Sequence, residues 1–152
     1  TGAWAAVSAP TLGLAGLPAA ATEARFVAAL LRAGALTTSV VRFDDLSEMG
    51  AYRFLFPLWG NSDLARVASD ALGDLPVADR RGELRRTLLA FLEAGGSQVD
   101  AATRLGIHRN TLAYRLRRIA ALTRLDPHDP TKRLALHLAL LVLTLPAPAG
   151  DA

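Results

Sequence analysis

Between Gln98 and Ile119 the chain reads QVDAATRLGIHRNTLAYRLRRI, and this stretch leaves few folds open. Gly106 stops a short helical segment and permits the left-handed backbone of a tight turn, while Ala102 is small enough for two helices to cross closely and Ile107 can plug the corner. Beyond the turn, Leu112, Leu116 and Ile119 follow the i, i+4, i+7 rule of a helix with one buried face. The spacing predicts a helix-turn-helix.

The neighbouring sequence extends it into a bundle. RGELRRTLLAFLEAGG places Leu84, Leu88, Phe91 and Leu92 on one face and ends at Gly95-Gly96. Ser97 caps the next helix, with Val99, Ala102 and Leu105 at inward spacing. The third helix is expected over about 109–122 and a fourth over 131–145, stopped by Pro146. Upstream, Ala3–Val7, a helical pattern from Pro18 to Arg32 closed by Gly34, and the β-branched TTSVVRFDDL read as strand, helix, strand. Two strands alone do not make a stable sheet, so this part needs a further partner. Leu46–Pro57 is apolar enough for a short helix, and Asn61 or Ser62 can cap another running to Leu72 before Gly73. With Leu75-Pro76-Val77 read as a linker, the expected organisation is a partial α/β segment with connecting helices over 1–76, a helix-turn-helix domain over 77–146 and a disordered tail over 147–152. The fold class is mainly α, a helix-turn-helix bundle preceded by a partial α+β segment.

Charge says which part meets a partner. The net charge is only +3, yet residues 80–133 carry +7 and the remainder −4. A basic segment joined to an acidic one points to a polyanion met by the C-terminal part alone. On the third helix Arg109, Asn110, Thr111, Ala113, Tyr114, Arg115, Arg117 and Arg118 are expected to face outward. Arginine forks pair with guanine edges or phosphates, asparagine pairs with adenine, and threonine and tyrosine hydroxyls reach phosphate oxygens. Such helices enter the major groove by their N-terminal end, so Arg109, Asn110 and Arg115 are expected to choose the sequence while Arg85, Arg86, Arg117 and Arg118 supply affinity. The expected partner is double-stranded DNA, bound by a homodimer that reads two half-sites.

At this point the residues resemble a known family. LRRTLLAFLEAGGSQVDAATRLGIHRNTLAYRLRRIAALTRLDPHDPTKRLALHLAL looks like the C-terminal helix-turn-helix of PucR/CdaR-type transcriptional regulators, with the HRNTL-x-YRL-x-RI core as its most specific part. Residues 6–55 are similar, less specifically, to the tail of the GGDEF-like domain that precedes this module. The resemblance implies a bacterial, cytoplasmic activator or repressor whose N-terminal part senses a metabolite. It puts the recognition helix on Arg109, Asn110, Thr111, Tyr114 and Arg115. Ala113 departs from the pattern, since relatives often carry a basic residue there.

Other chemistry finds little purchase. There is no cysteine, which excludes disulfides and thiolate chemistry, and His108, His128 and His137 lack companion ligands for a metal. His108 sits where a helix should begin and reads as a cap or a phosphate contact; His137 reads as an interior residue. Asp44-Asp45 could bind magnesium in a cyclase, but without a GGDEF signature it reads as a strand-end turn. Trp4, Trp59, Phe54 and Phe56 read as core rather than a ligand cavity. No cofactor, membrane span or catalysis is expected. The small-residue-rich N-terminal stretch has no basic residue before Arg25 and so lacks the form of a secretion signal. The first residue is threonine, which suggests a piece of a longer protein, and the sixteen-to-one ratio of arginine to lysine suits a GC-rich bacterial genome. Two rival readings stay open: a helix-turn-helix that meets RNA polymerase or a partner subunit instead of DNA, which a gel-shift separates, and a cyclase-related enzyme fragment, which incubation with GTP and magnesium tests.

Overall fold

The computed structural model describes residues 3–147 and is mainly α-helical. The described residues divide into two compact units, residues 3–62 with 141–147, and residues 63–140. Residues 148–152 of the expected tail lie outside the described residues.

The first unit is built on a strand–helix–strand crossover. β1 (Ala5–Val7) and β2 (Val40–Arg42) pair in parallel, Ala5 opposite Val40 and Val7 opposite Arg42. Parallel strands cannot be joined by a tight turn, and α1 (Leu17–Arg32) provides the return path. α1 buries Phe26, Val27, Leu30 and Leu31 against Val41, Phe43 and Met49. Leu14–Arg32 is also long and apolar enough to cross a membrane by length and composition; that apolarity includes the four core residues just named. The expected helix over 46–57 is broken: α2 (Leu46–Met49) and α3 (Tyr52–Leu55) flank Gly50, and a 3-10 turn follows over Phe56–Leu58. Phe56 and Trp59 pack on Phe26, ring centroids 5.2 and 5.1 Å away. Trp4 and Phe54, expected in the core, are instead 41% and 72% exposed. Asp45 caps α2 by accepting from the Ser47 and Glu48 amides, and Asp44 pairs with Arg42, so the acidic pair is spent on a turn.

The second unit contains α4 (Ser62–Leu72), α5 (Leu75–Ala78), α6 (Glu83–Glu93), α7 (Gln98–Leu105), α8 (Arg109–Thr123) and most of α9 (Pro130–Thr144). α6, α7 and α8 pack on one another through Leu88, Phe91, Ala101, Leu112, Leu116 and Ile119, all fully buried. The units divide at residue 62, whereas the sequence placed a boundary near Pro76. The reason is that 75–77 is no linker: Leu75 is fully buried in α5, Ala68 and Leu72 of α4 are buried, and the Asp74 amide donates to the Leu122 carbonyl at 3.2 Å.

Candidate nucleic-acid interface

α7 begins at Ser97, whose hydroxyl accepts the Asp100 amide at 3.3 Å, and ends at Gly106 in the left-handed region at φ 62°. There the Ile107 amide reaches back to the Ala102 carbonyl at 3.1 Å, closing the helix end with the long-range bond that a left-handed residue makes possible. Ala101 and Ala102 face the core, as does Leu105 in part. Val99, expected inward, is 72% exposed. A helix starting at Gln98 puts 98, 101, 102 and 105 on one side, which leaves 99 about a quarter turn away.

His108 caps α8: its Nδ1 accepts the Asn110 amide at 3.2 Å, and its carbonyl accepts the Leu112 amide. Leu112, Leu116, Ile119 and Thr123 form the buried face. On the opposite side Asn110, Tyr114 and Arg117 follow each other at i, i+4 and i+7, and all three are exposed. Thr111 and Arg118 form a second exposed stripe beside them, and Arg109 lies exposed at the helix start. α8 contains no acidic residue. Among the described residues, no ion pair or side-chain hydrogen bond engages Arg109, Arg117 or Arg118.

Arg115 departs from the outward placement expected of it. Its side chain is only 23% exposed, and its guanidinium lies 2.9 Å from the Glu83 carboxylate and donates to the buried Thr87 hydroxyl at 3.3 Å. The two arginines of α6 assigned to phosphate are engaged as well. Arg85 pairs with Asp79 at 3.5 Å, and Arg86 donates to the carbonyls of Gly82 and Arg81.

Asp79 is the residue that sequence reasoning missed. It is buried, and its carboxylate accepts the Leu84 and Arg85 amides at 3.1 and 2.8 Å, so it caps α6 from beyond Gly82, which has no side chain to offer. Burial pushes its carboxyl up, but the two amides and the Arg85 guanidinium outweigh burial and hold it below the ordinary value. The signal was an aspartate four residues before an amphipathic helix. Between this corner and α8 lies an open cleft of about 480 Å³, bordered by Arg80, Arg81, Thr111, Tyr114, Arg115 and Arg118.

Comparison with known proteins gives this geometry a family setting. The carbohydrate diacid regulator of Escherichia coli (strain K12) is 43% identical over 82 residues, covering 54% of this chain and 20% of that protein. The proline-responsive transcriptional activator PutR of Bacillus subtilis is 30% identical over 101 residues, covering 65% of this chain and 25% of its own length. A crystal structure of a regulator of polyketide synthase expression from Bifidobacterium adolescentis aligns with a TM-score of 0.49 and 26% identity, over 81% of this chain and 50% of that one. The chain thus spans about a fifth to a quarter of the length of these curated relatives. Residues 84–142, which hold the glycine corner, the capped α8 and its exposed stripes, match the family model of the PucR C-terminal helix-turn-helix domain.

Proposed function

We propose that this chain is part of a bacterial, cytoplasmic transcription regulator that binds double-stranded DNA sequence-specifically, with α8 in the major groove, and that it is not an enzyme. The observation that carries this reading is the exposed, acid-free face of α8, anchored from behind by Leu112, Leu116 and Ile119. Arg109 and Asn110 at the groove-entering end read base edges, Thr111, Tyr114, Arg117 and Arg118 meet the backbone, and Arg115 orients α8 through its tie to Glu83. The relatives named as regulators support the same role. One helix contributes modest affinity, so two copies reading half-sites roughly 34 Å apart complete the proposal. The parallel strand–helix–strand order of the first unit supports its reading as the end of a GGDEF-like domain.

The test starts from footprinting the chain on the genes that surround its own. On the duplex so found, R109A and N110A each lose about 1–3 kcal/mol of binding and almost nothing on random DNA. Equal losses on both duplexes would demote these residues to phosphate contacts. Absence of any protected site would remove the proposal.

A further inference from the structure

The cleft beside α8 has a composition that the recognition helix alone does not explain. Arg80 and Arg81, in the turn before α6, are both exposed, and neither side chain has an ion pair or hydrogen bond among the described residues. They face the same opening as Arg118, Thr111 and Tyr114. Two acids also border it, and both are consumed: Asp79 by the Leu84 and Arg85 amides, Glu83 by Arg115. What remains turned to solvent is three guanidinium groups and two hydroxyls, the donor set for phosphodiester oxygens.

We infer that the Arg80–Arg81 turn is a phosphate clamp that grips the DNA backbone running alongside α8. The inference rests on the DNA-binding reading above and adds a contact from outside the two helices of the motif. The Thr111–Arg118 stripe borders the cleft and adjoins the Asn110–Tyr114–Arg117 stripe, so a strand lying on α8 continues across it. Asp79 fixes the turn by capping α6, which keeps the two arginines beside α8 rather than on a free loop.

The experiment measures fluorescence anisotropy of the full chain with its footprinted duplex and with a random duplex, across a salt series. In R80A/R81A the affinity falls by the same factor on both duplexes, about 30-fold per bound protomer at roughly 0.15 M salt if each contact releases about 0.9 counterion. The slope of log affinity against log salt becomes shallower by about 1.8 per bound protomer. R80K/R81K recovers most of the loss, because a phosphate accepts either cation, and R80Q/R81Q, which keeps the side-chain stems, behaves like the alanine pair. Unchanged affinity and slope on both duplexes, with the wild-type chain binding normally, would overturn the clamp and leave the role of α8 intact. A loss confined to the footprinted duplex would overturn it too, since that is base reading. Replacing chloride by inorganic phosphate at fixed ionic strength leaves wild-type binding unaltered; a loss seen in wild type and absent from R80A/R81A would make the cleft a free-anion site instead. If the wild-type chain binds neither duplex, it is the DNA reading itself that has failed.

Discussion

Asp79 and Arg115 act on the interface without belonging to its exposed surface. Replacing Asp79 with alanine leaves the Leu84 and Arg85 amides without their acceptor at the start of α6, at a cost of about 1–2 kcal/mol in urea denaturation. The sign of the pH effect follows from the lowered carboxyl. A group that binds its proton more weakly when folded contributes fully above the unfolded value of about 3.9, and the contribution disappears as pH falls through the folded value. Wild-type stability therefore drops more steeply than that of D79A in acid titrations below about pH 4, and the difference between them narrows; parallel curves would show that Asp79 does not carry it. Arg115 and Glu83 form a half-exposed pair, so a double-mutant cycle of R115A and E83A gives a coupling of about 0.5–1 kcal/mol. The outward residues Asn110, Thr111, Tyr114, Arg117 and Arg118 could be read from the sequence, because helical period alone assigns them opposite Leu112 and Leu116. Arg115 could not. The period puts it at the border of the buried face, and only the packing of α6 brings Glu83 and Thr87 within reach of it.

The elements from α6 to α9 were legible for a related reason: each has an apolar stripe at helical spacing, glycine follows α6 and α7, and proline follows α9. α5 was not, because four residues are too few to show a period, and Leu75-Pro76-Val77 has the composition of a connector. Its proline sits in the first turn, where a missing amide does no harm. The turns between these elements differ in what they tolerate, and the differences give a ranking. Gly106, at φ 62°, has open space where a Cβ would stand, so G106A meets only the left-handed penalty of about 1 kcal/mol. Gly73, at φ 50°, faces the Leu122 carbonyl oxygen, which a Cβ would approach to 2.6 Å. Backbone cannot swing aside as a side chain does, so G73A costs more than G106A, about 2 kcal/mol or beyond. Arg124 ends α8 at φ 58° with a side chain, and R124G relieves that strain by about 0.5–1 kcal/mol. Urea midpoints in the order R124G, wild type, G106A, G73A check all three; G106A falling below G73A would refute the carbonyl argument.

For the whole molecule, what matters is how charge is used. The +7 of residues 80–133 was visible in the sequence, but its distribution was not, since the acids in that stretch are far from evenly available. Glu83 is tied to Arg115, Glu93 to Arg104, Asp126 to His128 and Asp129 to Lys132. Asp100 alone of the five acids in that stretch has no side-chain partner among the described residues, and the exposed arginines of the stretch left without an ion pair or side-chain hydrogen bond are Arg80, Arg81, Arg109, Arg117, Arg118 and Arg124, all but the last in the turn before α6 and along α8. The first unit spends its acids differently: Asp45 caps α2, Asp44 pairs with Arg42, Glu23 accepts the Ala9 amide and Glu48 the Thr38 hydroxyl. DNA affinity should thus respond to salt through a small and countable set of contacts. If Arg80, Arg81, Arg117 and Arg118 each meet one phosphate, log affinity falls against log salt with a slope of about −3.6 per protomer, doubling to about −7 on a duplex with two half-sites. R42A in the first unit leaves that slope unchanged, whereas R117A/R118A reduces its magnitude by about 1.8 per protomer. A slope near zero, or one that responds to R42A as strongly as to R117A/R118A, would mean that affinity comes from diffuse attraction to the chain and not from this surface.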